Sequence, residues 1–166
     1  MKYPRMTAAG ATVDLEEAAE QAVRRYCGWH VAPLIEETFR LDGYGSSVVK
    51  LPTLALDDVL SVRVAGREVP VEQVHWSTHG LLQLPSPAPR EFGAIEVTAK
   101  HGFEDTTDIG ALVASIRDRS TNMPAGVTRK QIGDVSVSYG GLDERGVRLF
   151  ASEREALAPY RLEATP

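Results

Sequence analysis

The sequence has a single cysteine, Cys27, and it has no long apolar run. One cysteine cannot form an intrachain disulfide and cannot build a zinc site from several cysteines. The longest nearly apolar stretch, residues 54–60, contains two aspartates and is far shorter than the ~20 residues that cross a bilayer. Residues 1–10 lack the apolar segment of a secretory signal. These absences predict a protein with no membrane span that is made in a reducing cytoplasm.

Basic residues are outnumbered by acidic ones: 18 lysines and arginines stand against 23 aspartates and glutamates, a net charge of −5. Broad binding to nucleic acid needs clustered lysine and arginine that displace counterions from phosphates. We therefore expect no tight binding to DNA, and a DNA-binding module is a third possibility for the function. If many copies formed a ring, an acidic bore would repel phosphates and let a duplex slide through.

The overall composition, 43% hydrophobic and 25% charged, is that of an ordinary globular protein. A chain of this length buries roughly 70% of its unfolded surface, which is enough for a substantial core. We predict a flexible N-terminal arm over residues 1–13. One domain is predicted over residues 14–166, ending in a helix and a tail.

The first helix is predicted just after this arm. Asp14 is a candidate N-cap with Glu17 three positions later, and Gly28 is placed to end the helix. Its apolar residues recur on one stripe: Leu15, Ala18, Ala19, Ala22, Val23 and Tyr26. The stripe predicts a helix that packs through small side chains.

Two further helices are predicted towards the C-terminus. Thr107 or Asp108 is expected to cap the first of them, because apolar residues follow at helical spacing. Ser152 and Glu155 have the spacing of a capping box that opens a short terminal helix. Residues 121–131 between them are polar and predict a loop.

The middle of the chain predicts antiparallel strands. Residues 34–41 and 47–51 are predicted to form a hairpin across the glycine turn at residues 42–45. Residues 59–64 alternate with period two before a turn at Gly66, so one of their faces is expected to be buried. Further strands are predicted over residues 68–71, 81–84, 94–99 and 135–139. The expected fold class is α+β, with small helical bundle elements and an antiparallel β-rich middle.

No cluster of residues predicts catalysis, cofactor binding or metal binding. His75 and His79 are four apart, but their surroundings are typical of a strand or turn, and the glutamate of a zinc-protease helix is missing. Cys27 and His30 are close in sequence, which leaves a small cysteine-dependent enzyme as an alternative. A buried thiol that packs as a small apolar group is the commoner arrangement. We predict a protein that is not an enzyme.

Residues 26–33 (YCGWHVAP), after an alanine-rich helix, resemble the head-to-tail connector (adaptor) proteins of long-tailed phages of actinobacteria. Similar proteins continue in the same order with a Thr-x-x-Leu-Asp-Gly turn, a Leu-Pro strand end and a Val-Thr-Tyr-x-His-Gly strand end. This sequence departs from the last of these at Ala99. The matching segments are residues 38–43, 51–52, 59–66, 97–103, 108–116, 131–139 and 153–162.

The resemblance covers roughly residues 15–162 and implies a structural role in the virion. It implies a connector-like fold and a ring of twelve copies beneath the portal protein, which hands the DNA channel on to a stopper or tail-terminator protein. The C-terminal segment resembles the part of the family that reaches the portal, with Tyr160, Arg161 and Leu162 as candidate anchors. Another neck protein, a stopper or a tail-completion protein, remains an alternative.

Contacts between neighbouring subunits of such a ring are assigned to two places. Trp29 follows a helix end, where a bulky aromatic side chain can face a partner, although core packing is an equal alternative. Val135, Val137 and Tyr139 lie on a strand whose free edge can pair with the sheet of a neighbour. An internal strand is the alternative there.

Overall fold

The computed structural model describes residues 14–122, 129–132, 135–138 and 147–163. These residues form an α+β fold with antiparallel sheets and three α-helices. The helices are α1 (Leu15–Cys27), α2 (Thr107–Asn122) and α3 (Ala151–Leu157). The strands are β1 (Ile35–Leu41), β2 (Val48–Lys50), β3 (Leu56–Val64), β4 (Arg67–Val69), β5 (His75–Trp76), β6 (Leu81–Gln83), β7 (Ile95–His101), β8 (Arg129–Ile132) and β9 (Val135–Ser138). The predicted fold class is confirmed at the level of α+β.

Helix α1 begins and ends at the residues that the sequence predicts. The carboxylate of Asp14 accepts hydrogen bonds from the backbone N–H groups of Glu16 and Glu17, at 2.9 and 3.4 Å. At the other end Gly28 has a φ of +81°, and its N–H donates to the carbonyl of Arg24 at 2.8 Å. Only glycine adopts this conformation without a steric cost, which explains why the helix stops there.

Four strands form one sheet, in the order β1-β7-β3-β4, with all neighbours antiparallel. A two-residue turn, Ala65 and Gly66, joins β3 to β4, and both residues have positive φ angles. Such turns match the twist of the strands that they connect. The predicted turn at Gly66 is confirmed.

The predicted hairpin between residues 34–41 and 47–51 is wrong. β1 pairs with β7, so that Thr38 lies opposite Thr98, whereas β2 pairs with β6 in a separate three-stranded sheet of order β2-β6-β5. The glycine segment crosses from one sheet to the other. A Cβ on Gly43 would collide with the carbonyl of Pro89, so glycine permits a close approach of two loops there, and it does not form a hairpin turn.

The predicted alternation along β3 is also wrong. Val59 and Val62 are buried, three residues apart, while Leu60 is 37% exposed. The register against β7 shifts twice, between Leu56 and Asp58 and again between Val59 and Ser61. Each bulge inserts one extra residue, which changes the side-chain period from two to three.

Two of the predicted helix caps lie at other residues. Asp105 caps α2, because its carboxylate accepts hydrogen bonds from the backbone N–H and the hydroxyl of Thr107, at 3.1 and 2.7 Å. At α3 the glutamate that reaches back is Glu153, which accepts the N–H of Phe150 at 2.6 Å. Ser152 and Glu155 therefore lie inside the helix, and the predicted capping box is wrong by two positions.

The chain divides into two compact units. The sheet unit contains residues 24–107 and 157–163, and the helix unit contains residues 14–23 and the described residues of 108–156. The two larger sheets share one apolar core in the sheet unit, which includes Phe39, Val49, Leu51, Leu56, Val59, Val62, Leu82, Leu84, Ile95, Val97 and Ala99. The prediction of a single domain stays a prediction.

Strands β8 and β9 pair with each other in the helix unit. The strand predicted from residue 135 is therefore confirmed as far as Ser138. The predicted loop over residues 121–131 is wrong at Arg129, where β8 begins. The predicted N-terminal arm, Tyr139 and residues 164–166 lie outside the described residues.

Candidate functional site

A buried histidine marks the most distinctive side-chain cluster of the sheet unit. His101 ends β7 and is 1% exposed. Its Nε2 lies 2.9 Å from a carboxylate oxygen of Glu37, which belongs to the neighbouring strand β1. The imidazole of His101 is therefore hydrogen-bonded to a carboxylate 64 positions earlier in the sequence, the only carboxylate that it contacts within the described residues.

Aromatic rings surround this imidazole. The ring centres of Phe39, His30 and Trp29 lie 4.9, 5.8 and 6.3 Å from that of His101. Phe103 meets Trp29 edge to face, at 5.8 Å. Rings at these separations and tilts pack favourably, and together they exclude water from His101. We call Trp29, His30, Phe39, His101 and Phe103 the aromatic cluster.

Burial decides the charge of His101. Removal from water lowers its pKa below the ordinary value, and the nearby imidazole of His30 lowers it further, while the carboxylate of Glu37 opposes the shift. With a lowered pKa the ring is neutral at pH 7, and its Nε2–H donates to Glu37. Its Nδ1 has no hydrogen-bond partner among the described residues. The site can therefore take up a proton or accept one hydrogen bond.

The C-terminal segment is held against the aromatic cluster. The indole N–H of Trp29 donates to the carbonyl of Tyr160 at 2.7 Å. The ring of Tyr160 meets Phe103 edge to face, with the ring centres 5.5 Å apart. Three segments that are far apart in the sequence therefore meet at one place.

The same segment also reaches the end of α1. The N–H of Leu162 donates to the carbonyl of Cys27 at 2.8 Å, which satisfies one of the free carbonyls of the helix terminus. The guanidinium of Arg161 lies 5.5 Å from the centre of the Tyr26 ring, within the range of a cation–π contact. The predicted portal anchors thus contact their own chain.

The backbone before β1 adopts an unusual conformation. Val31 has a φ of +71°, which is rare for a β-branched residue and costs on the order of 1–3 kcal/mol. Its side chain is buried, and its carbonyl accepts the N–H of Phe103 at 2.8 Å. The bend lies inside the segment that carries the family resemblance, and it brings Trp29 and His30 next to His101.

The structure describes the side chains of only some of the predicted interface residues. Trp29 is buried inside the sheet unit. The structure describes neither the side chains of Val135 and Val137 nor any part of Tyr139. The interface roles of all four, and the portal contacts of Tyr160, Arg161 and Leu162, stay predictions. Sequence reasoning did not single out His101 and Glu37, because their pairing depends on strands that are distant in sequence.

Cys27 lies in surroundings that suppress its reactivity. It is fully buried, and burial raises the pKa of the thiol to about 11. The thiolate is the nucleophilic form, so a raised pKa leaves almost none of it at neutral pH. His30 donates from Nε2 to the carbonyl of Pro33 at 2.8 Å. This arrangement offers no activated thiolate for the cysteine-dependent alternative.

A second feature of the sheet unit is a pair of exposed aromatic residues on adjacent loops. Tyr44 is 75% exposed and Phe92 is 92% exposed. The loops are held together because Gly43 donates to the carbonyl of Glu91 at 2.8 Å and Gly93 donates to the carboxylate of Asp42 at 2.7 Å. We call Tyr44 and Phe92 the aromatic tip. Exposed aromatic residues on a fixed backbone are typical of protein contact surfaces.

Two kinds of feature are absent from the described residues. No group of three or more histidine, cysteine, aspartate or glutamate side chains is arranged to hold a metal ion in this part of the chain. Over the same residues, no helix has the length and apolar character needed to span a bilayer.

Comparison with known proteins adds no relative. No protein-family model matches the sequence, and no curated protein matches it at a significant level.

Proposed function

We propose that this chain is a structural adaptor of a bacteriophage particle, with a connector-like fold and no catalytic activity. In this proposal about twelve copies, as the resemblance implies, form a ring at the head-to-tail junction of the virion. The ring binds the portal protein on one side and a stopper or tail-terminator protein on the other. DNA passes through its channel without tight binding, which suits the net charge of −5.

The observation that carries the proposal is the meeting of the family motifs in space. The resemblance rests on residues 26–33, 97–103 and 153–162, among others. Trp29, His101 with Phe103, and Tyr160 come from these three segments, and they pack in and against the aromatic cluster. Segments that are alike in sequence are thus also neighbours in this fold, and the proposal rests on this packing together with the order of the motifs along the chain.

The aromatic tip supports a role in binding other proteins. Large apolar side chains that are exposed on a fixed loop favour binding, because a partner that covers them removes their apolar surface from water. The tip is flanked by the charged residues Arg90 and Glu91, which line the small cavity between the loops. Such a polar border around an aromatic centre is common at protein interfaces.

Complementation of a phage that lacks this chain tests the proposal. Without the protein, we expect filled heads and free tails that do not join, and the wild-type chain supplied in trans should restore complete particles. The double variant Tyr44→Ser/Phe92→Ser should fold and yet restore at least tenfold fewer infectious particles. Leu81→Ser, which changes an exposed residue of β6, is the matched control and should complement fully.

The stage at which particle assembly stops without this chain distinguishes an adaptor from a stopper or a tail-completion protein. An adaptor contacts the portal directly and lies between it and the stopper. Every head that can bind the stopper should therefore contain it. If heads lacking this chain still bound the stopper protein, the chain would act later, as a stopper or tail-completion protein. If complete infectious particles formed without it, the structural role would be disproved.

A further inference from the structure

Strand β1 forms one edge of the four-stranded sheet, and β7 is the only strand paired with it in the part of the chain that the structure describes. It has seven residues, whereas β4, at the other edge, has three. Glu36, Glu37 and Thr38, near its middle, are all exposed. An exposed edge of this length presents a row of backbone groups that can pair with another strand.

One face of β1 carries only polar side chains. Glu36, Thr38 and Arg40 alternate along it and point to the same side of the sheet. Within the described residues, neither Glu36 nor Arg40 has an oppositely charged partner within 4.0 Å. On β7, Lys100 lies opposite Glu36 and Glu96 lies opposite Arg40, so a partner strand would extend a row of alternating charges.

The charges on this face are placed symmetrically about Thr38, with the acid two residues before it and the base two residues after it. If two copies of β1 run antiparallel with Thr38 opposite Thr38, each Glu36 lies opposite the Arg40 of the other copy. On the other face Ile35 then lies opposite Leu41. We infer that β1 is a docking strand for a second copy of this chain, which joins two four-stranded sheets into one across a two-fold axis.

Neighbouring registers are unfavourable. A shift that centres the pair on Glu37 places two Glu37 carboxylates opposite each other. A shift that centres it on Phe39 places Glu36 opposite Asp42. Like charges directly opposite each other destabilise a strand pair, so the sequence of β1 selects the register centred on Thr38.

Charge exchange tests the inference, and it does not depend on the adaptor role. Sedimentation equilibrium of the purified chain should show a reversible dimer. Glu36→Arg should weaken dimerisation by about tenfold or more, because two ion pairs become two repulsions. Arg40→Glu should do the same, and the double variant Glu36→Arg/Arg40→Glu should restore the wild-type dissociation constant. Glu68→Arg, on the opposite edge strand, is the matched control and should dimerise normally.

Cysteine cross-linking tests the register itself. Thr38→Cys places two thiols directly opposite each other, with Cα atoms about 4.5–5.5 Å apart, which suits a disulfide. Mild oxidation in air should link the two copies through a disulfide, because copper phenanthroline passes the two electrons to dioxygen while the two thiol protons are released. Glu36→Cys should link far less, because residue 36 lies opposite residue 40. Cys27 is buried and should not react.

Three results would each contradict the proposed dimer. A chain that stays monomeric at all concentrations would overturn the inference, and so would a dimer that Glu36→Arg leaves intact. Failure of the double variant to restore dimerisation, while circular dichroism shows it folded, would also overturn it. A two-fold pair gives its two copies opposite orientations, whereas the copies of a ring share one orientation, so the dimer is a state of the free chain that separates before a ring forms. The complementation experiment tests the ring alone, and the two proposals therefore fail independently.

Discussion

The two compact units bury different kinds of side chain. In the sheet unit the largest fully buried groups are mostly aliphatic, such as Leu51, Leu82 and Ile95. In the helix unit, aliphatic side chains such as Ile116 are buried too, but so is an ion pair between Arg119 of α2 and Glu153 of α3. Aliphatic packing depends on shape and area, whereas a buried ion pair depends on the presence of both partners.

The ion pair is the centre of a small network. Arg119 is 12% exposed and Glu153 is 8% exposed at the side chain. Besides contacting Glu153 through both terminal nitrogens, Arg119 donates to the carbonyl of Arg148 at 2.7 Å and lies over the ring of Phe150 at 3.7 Å. Its Nε has no hydrogen-bond partner among the described residues. This network fixes the start of α3. If one partner of the ion pair is removed, the other remains as a buried charge without a counter-charge.

The largest expected effect is on this network. Glu153→Ala removes the carboxylate that pairs with Arg119 and also caps α3, so we expect a loss of about 3–5 kcal/mol in the free energy of unfolding. Urea denaturation followed by circular dichroism measures it. Arg117→Met, which breaks exposed ion pairs with Asp118 and Glu16, is the control and should change little. Equal effects of the two variants would contradict the account.

The next effect concerns the aliphatic core of the sheet unit. Leu82→Ala leaves a cavity beneath the three-stranded sheet and should cost about 3 kcal/mol. Leu81→Ala, one residue earlier on the exposed face of the same strand, should cost far less. The same denaturation measurement gives both values. A large loss for Leu81→Ala would mean that this face is covered in solution.

A smaller effect is expected where the C-terminal segment is held. Trp29→Phe keeps an aromatic ring in the cluster but removes the N–H that donates to Tyr160, so the cost should be about 1 kcal/mol. Limited proteolysis should cut the variant faster after residue 157 than it cuts the wild-type chain. An unchanged cleavage rate would show that this hydrogen bond does not hold the segment.

The effect of His101 is expected to be small at neutral pH and to appear in acid. Its pKa is lowered in the folded state, so the unfolded chain takes up a proton first as the pH falls below the ordinary value near 6.5. Stability from this residue is therefore present above that value and is lost as the pH falls towards the folded pKa.

Replacement of the imidazole isolates this contribution. His101→Phe should flatten the fall in unfolding free energy between pH 7 and about pH 5, while the control His79→Gln should follow the wild-type curve. Thermal melts across this range give the comparison. Parallel curves for wild type and His101→Phe would show that His101 titrates no differently when folded.

Local features of the fold could be predicted from the sequence. The cap at Asp14, the stop at Gly28 and the turn at Gly66 are each specified by residues a few positions apart, and all three are confirmed. The family resemblance also identified the segments that supply Trp29, His101 and Tyr160. It gave no reason to expect that they pack together.

Pairing between distant segments could not be predicted in the same way. Thr38 lies opposite Thr98, 60 positions away, and the glycine turn after β1 gave a stronger local signal for a hairpin that does not form. The cap of α3 was missed because Phe150, an apolar residue, occupies the N-cap position. The role of Glu153 there follows from its backbone contact, which no sequence spacing alone revealed.

A reconstruction of the head-to-tail junction, from phage particles assembled in cells that express this chain, is the most direct test of the proposed role. The account predicts a ring of this polypeptide seated on the portal, with the DNA channel running through its centre. A junction in which the density next to the portal belongs to another protein, and in which this chain is found nowhere, would contradict it.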